Sequence, residues 1–189
     1  MNDAMATAAL DMFALSPFDA LAEYERRSLA HVAGVPEQIE APGLWRGIGF
    51  RIGARHLVSS INEVNEILTY PSLTLVPGTR SWLLGVANVR GNLVPLIDLK
   101  LYLEGERTLL TESTRVLLVR QAGGSVGLMV DEVLGQRSFS EEQRAEAIGE
   151  DDERYGRFVG EKYPLGEMHW GQFSMATLVR SPDFVQAAA

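Results

Sequence analysis

Hydrophobic and polar positions follow two different periods along this chain. Phe18, Leu21, Ala22, Leu29, Val32 and Ala33 recur at near-helical spacing, which predicts an amphipathic helix from Ser16 to Gly34. Ser16 is placed to cap it, Pro17 suits its first position, and Asp19 meets the free amides of its first turn. Gly34 followed by Pro36 supplies the stop, and a Pro- and Gly-containing connector runs from Val35 to Gly43. Residues 1–15 have no periodicity and are expected to form a disordered tail.

From Trp45 the period shortens to two. Ile48, Phe50 and Ile52 alternate with Gly49 and Arg51, Gly53-Ala54 makes a turn, and His56 to Ser59 returns as a second strand. Val116 to Val119, Gly123-Gly124 and Val126 to Val133 repeat the scheme as another hairpin. Ile61, Val64, Ile67 and Leu68 fit a helical turn as well as a twisted strand, and so few residues do not separate the two. Trp170 to Val185, with Phe173, Met175, Ala176, Leu178 and Val179 before Ser181-Pro182-Asp183, predicts a closing helix over a barrel. Short strands parted by glycine turns point to barrels rather than to a doubly wound sheet.

The most informative stretch is Val86 to Asp98, where two apolar runs flank a turn whose only charged residue is Arg90. Arg90-Gly91-Asn92 supplies turn chemistry: glycine takes positive φ without steric cost and asparagine tolerates the left-handed region. Leu93 to Ile97 is apolar at every position, so both faces of that strand need cover. A buried strand of an ordinary core and a hairpin presented to a partner both satisfy this pattern.

Gly85-Val86-Ala87-Asn88-Val89-Arg90-Gly91, followed by Val94-Pro95-Leu96-Ile97-Asp98-Leu99, resembles the G-V-x-N-x-R-G-x-x-x-P-x-x-D-L signature of the CheW family of chemotaxis scaffold proteins. Glu63 to Leu68 with Leu75-Val76-Pro77 resembles the segment before that signature, and Val126 to Val133 resembles the family's later strand. Ser16-Pro17-Phe18, Tyr24-Glu25-Arg26-Arg27, Gly34-Val35-Pro36 and Trp45 to Phe50 are similar to the branch of the family that serves the chemosensory system of type IV pili. The resemblance implies a mainly β fold: two intertwined five-stranded SH3-like barrels with a shared apolar core, an N-terminal helical extension and a C-terminal helix. It implies a division into a tail (residues 1–15), a helix and connector (16–44) and a CheW-like domain (45–185).

Function follows from the same resemblance: an adaptor without catalytic residues, metal or cofactor, joining a methyl-accepting-type chemoreceptor to a CheA-type histidine kinase and governing twitching motility. Val64, Glu66 and Arg90 match kinase-binding positions, with Glu66 and Arg90 expected to approach as an ion pair. Asn88 and Gly91 are assigned to shaping the hairpin, and Leu68, Val126 and Leu128 to lining a receptor groove between the barrels. An SH3-like module of another assembly and a small-molecule-sensing or hydrolytic domain are the alternatives.

Composition agrees with this reading. The 189 residues are 46% hydrophobic and 22% charged, enough to bury a sizeable core. A formal net charge of −8 argues against nucleic acid as the main partner. There is no cysteine, no apolar run long enough to span a membrane, and no Lys or Arg before Arg26 to make a signal peptide, so a cytoplasmic protein without membrane insertion is expected. His31, His56 and His169 lack metal-ligand spacing, and His31 lies in a stretch only thinly like a phosphoacceptor helix. Gly123-Gly124 with Gly127 lacks the G-K-[ST] of a phosphate loop. Asp98 and Asp131, the one conceivable acid–base pair, each follow an apolar strand where capping the next turn is the simpler role. The acidic run from Glu141 to Glu153 is expected to be a solvated face.

Overall fold

The computed structural model describes residues 16–30, 44–140, 142, 145–146, 153–166 and 168–187. The chain divides into two units, residues 1–40 and 41–189. The described part of the first is helix α1 (Pro17–Ala30). Ser16 accepts from the Asp19 amide at 3.3 Å and donates its hydroxyl to the Asp19 carboxylate at 2.6 Å, a reciprocal cap. Within this unit Phe18 and Leu21 remain largely exposed. The expected tail, residues 31–43 with His31 and the connector, and most of the acidic run lie outside the described residues.

The second unit opens with β1 (Leu44–Ile52) and β2 (Arg55–Ser60), then β3 (Val64–Thr69), β4 (Leu83–Val89) and β5 (Asn92–Asp98). Helix α2 (Leu99–Glu104) precedes β6 (Arg115–Gln121), β7 (Gly124–Val130), β8 (Glu132–Ser140) and the two-residue β9 (Ala145–Glu146). Helix α3 (Glu153–Gly156), β10 (Val159–Leu165), β11 (Met168–Phe173), α4 (Met175–Arg180) and α5 (Pro182–Val185) complete the order. The strands form two sheets, β8-β1-β2-β11-β10-β9 and β3-β6-β7-β5-β4, five strands each once short β9 is set aside. The two are intertwined, because the chain leaves the first sheet after β2, builds the whole second sheet, and returns as β8 beside β1.

Phe50, Ile52 and Leu57 of the first sheet and Ile97, Leu117 and Leu128 of the second bury into one cluster, closed by Phe158, Phe173, Leu178 and Phe184. This shared core couples the halves: each large side chain so buried contributes roughly 1.5–3 kcal/mol.

Val64–Thr69 is a strand, which decides between the two forms its pattern allows. Several other elements differ from the sequence pattern. The second arm of the later hairpin stops at Val130, and Glu132 begins a strand of the other sheet. Trp170 and Phe173 belong to β11 rather than to a closing helix, and the helix after them is split at Ser181, which caps α5 from the residue before Pro182. Leu93 escapes the cover expected for β5 and is 76% exposed.

Candidate functional site

The β4–β5 hairpin closes in a two-residue turn, Val89 pairing with Asn92 around Arg90-Gly91. Both central residues have positive φ, 52° at Arg90 and 87° at Gly91, the type I′ pattern that suits the strand twist. The left-handed residue beside the glycine is therefore Arg90, not Asn92, and it is the one non-glycine residue with positive φ among those described. Arginine in that conformation carries a backbone cost that Asn or Gly largely avoids. Asn88 offsets part of it by accepting the Gly91 amide at 2.8 Å through Oδ1.

Arg90 reaches from this turn to β3. Its guanidinium donates to Glu66 Oε1 at 2.6 Å, with the arginine side chain 77% exposed and the glutamate 25%. β3 and β4 are the two ends of the second sheet's strand order, so the ion pair bridges its edges. A second bridge lies midway along β4, where Thr74 of the β3–β4 connection and Val86 exchange two backbone hydrogen bonds of 2.9 Å. Gly85 makes this approach possible: its φ is +145° and a Cβ there would collide with the Thr74 carbonyl.

Val64 sits half-buried against the main core, one bulge away from Glu66. The bulge accompanies an inverted pattern in which Glu66 is sheltered while Ile67 is 41% exposed. Ile67 and Leu93, neighbours in sequence of the ion pair and of the turn, are apolar residues left exposed at strand positions. Glu63, immediately before β3, accepts the Met175 and Ala176 amides at 3.3 and 3.1 Å and the Ser59 hydroxyl at 2.6 Å, tying the start of the strand to helix α4.

The groove residues separate. Leu68 is half-buried beside Leu73 and Leu84. Val126 and Leu128 are 1% and 0% exposed, because with Val130 they share the face of β7 that packs into the main core; this corrects their assignment to a partner-facing lining.

Both candidate acid–base carboxylates hold structure. Asp98, 1% exposed, accepts the Leu101 amide at 3.1 Å as the cap of α2, and the Thr108 amide and hydroxyl at 3.0 and 2.8 Å. Asp131 accepts the Gly53 amide at 2.6 Å, capping the β1–β2 turn of the other sheet. His56 and His169 both line a cavity of about 360 Å³ with Lys162 and Tyr155. Among the described residues no group of three or more His, Cys, Asp or Glu is placed to hold a metal ion, and no helix is long and apolar enough to cross a membrane.

A sequence model of the CheW-like domain matches residues 46–166, more than half of the chain. The chain belongs to the CheW-like family. It is 36% identical over 173 residues to the protein PilI of Pseudomonas aeruginosa, covering 92% of this chain and 97% of that protein. With 173 of 189 residues aligned, α1 falls inside the matched stretch whichever terminus is left out. Likeness to the chemotaxis proteins CheW of Bacillus subtilis (32% over 85 residues) and Helicobacter pylori (33% over 108 residues) covers 45% and 57% of the chain, and 54% and 64% of those proteins. The crystal structure of the scaffolding protein TtCheW from Thermoanaerobacter tengcongensis shares the fold, with a TM-score of 0.60 at 22% identity over 68% of this chain and 88% of that one. The CheW-like family is one of scaffold and adaptor proteins, and the mainly β architecture of two intertwined five-stranded SH3-like barrels is its fold.

Proposed function

We propose that this protein is a non-enzymatic adaptor that joins a methyl-accepting-type chemoreceptor to a CheA-type histidine kinase, in the system that drives type IV pilus twitching motility. The observation that carries the reading is the Arg90–Glu66 pair at 2.6 Å, set on an exposed hairpin whose arginine holds a backbone conformation unfavourable to it. A costly backbone state at an exposed charged residue is what a binding surface retains and a purely structural turn does not need. Likeness to PilI across nearly the whole chain, α1 included, supports the pilus assignment.

In this reading Val64, Glu66 and Arg90 form the kinase edge, with Ile67 and Leu93 adding apolar contact beside the charges. The receptor surface is proposed around Leu68. An adaptor of this kind acts through two binding surfaces and the stiffness between them; both surfaces named here draw on β3, and its pairing with β6 fixes their spacing. CheW-like domain boundaries near residues 45 and 185 belong to the same proposal.

Calorimetric titration of the whole protein with the regulatory domain of a CheA-type kinase from the same source tests it. Wild type is expected to bind at micromolar affinity or tighter. Arg90→Ala is expected to lose at least about 2 kcal/mol of binding, since truncating one member of a charge pair desolvated at an interface costs roughly 2–5 kcal/mol. Absence of binding by well-folded wild type would reduce the signature to shared ancestry and favour an SH3-like module of another assembly.

A further inference from the structure

At the other end of the hairpin from Arg90, about 20 Å along β4 by strand rise, lies a cleft of about 480 Å³. It is built where the base of β4, helix α2, the α3 turn and helix α5 meet. Arg80, Arg154 and Arg157 line it, with Asp183 the one acid among its described lining residues, in a protein whose formal net charge is −8. Its apolar wall is aromatic: Trp82 stacks on Phe184 at 5.9 Å between centroids and meets the edge of Tyr102 at 5.3 Å.

The arginines differ in what already occupies them. Arg154 donates to the Leu103 carbonyl at 3.3 Å and so helps hold α3 to α2. Arg157 is paired with Asp183 at 3.4 Å, both side chains about 70% exposed or more, a weak pair that an incoming carboxylate exchanges readily. Arg80 is exposed, with its backbone amide bound to the Ala187 carbonyl at 2.8 Å.

We propose that this cleft binds an acidic peptide segment of a partner protein, carboxylates on Arg80 and Arg157 and an aliphatic or aromatic side chain against Trp82 and Tyr102. Charge complementarity sets the sign of the ligand. The spread of exposed guanidiniums over separate elements, without a converging ring of buried donors, favours a multivalent chain over one small anion, because several weak exposed pairs add up only when tethered together. An aromatic wall beside the charges gives such a chain an apolar anchor. The site is distinct from the kinase edge and does not rest on it.

Fluorescence anisotropy of the full chain with a fluorescein-labelled peptide, six glutamates flanking a central Leu-Phe pair, tests the proposal. Binding is expected, weakening at least tenfold in the double variant Arg80→Glu/Arg157→Glu and at least fivefold when the Leu-Phe pair is replaced by Ser-Ser. Arg120→Glu, an exposed arginine outside the cleft, is expected to change it less than twofold. Inorganic phosphate at ionic strength matched by sodium chloride is expected to compete no better than the salt. No binding, equal binding by the double variant with an unchanged melting temperature, or equal loss with Arg120→Glu would overturn the proposal. Specific competition by phosphate would replace it with a small-anion site.

Discussion

The two ends of the β4–β5 hairpin, its turn and its base, behave oppositely. At the turn, Arg90 is 77% exposed, holds a left-handed backbone and pairs with a half-sheltered glutamate across the sheet edge. At the base, Asp98 is 1% exposed and its two oxygens accept three hydrogen bonds that fix α2 and the loop carrying Thr108. A family signature thus mixes residues that hold the fold with a residue that faces outward, and burial with hydrogen bonding sorts them where sequence order does not.

The largest effect is expected at the base. Asp98→Ala leaves three donors without their acceptor and should lower stability by about 3 kcal/mol, read as a melting temperature lower by roughly 6–12 °C for a chain of this size. Thermal unfolding followed by circular dichroism checks it; a loss below about 1 kcal/mol would break the contrast. Next comes Gly85→Ala, whose Cβ meets the Thr74 carbonyl and opens the edge bridge to Val86. About 2 kcal/mol should be lost, and faster amide exchange at Thr74 and Val86 than in wild type would locate the damage.

At the turn the expected stability effects shrink. Arg90→Ala keeps the left-handed backbone cost and removes only an exposed ion pair, so denaturant unfolding should show a loss of about 0.2–1 kcal/mol. Arg90→Asn removes the same pair but suits the backbone, and its stability should fall within about 0.5 kcal/mol of wild type, on either side. A large loss in Arg90→Asn would mean that the guanidinium holds the barrel edge together and would erase the distinction between the two ends.

What was legible in the sequence was local. The β1–β2, β4–β5 and β6–β7 hairpins each turn on two residues, with glycine at Gly53, Gly91 and Gly123, and their flanking apolar runs fixed their place. The ambiguity at Val64 to Thr69 had a physical cause, since regular alternation along β3 puts Glu66 on the sheltered face with Val64 and Leu68 and leaves the apolar Ile67 outside. The contacts that join the sheets were not legible because they are distant in sequence. Asp131 caps Gly53 from 78 residues away, and Glu63 caps α4 at Ala176 from 113 residues away. Neither shows a local pattern. For the same reason the apolar pattern of Val126 and Leu128 does not reveal that their face of β7 packs into the core shared by the two sheets.

Arg90→Ala and Asp98→Ala are best measured side by side, each for kinase-domain binding by calorimetry and for thermal stability. A crossed result is expected: Arg90→Ala loses binding at a nearly wild-type melting temperature, while Asp98→Ala melts lower yet binds with nearly wild-type affinity below its transition. Parallel losses of binding and stability in both variants would make Arg90 a structural residue like Asp98 and remove it from the kinase edge.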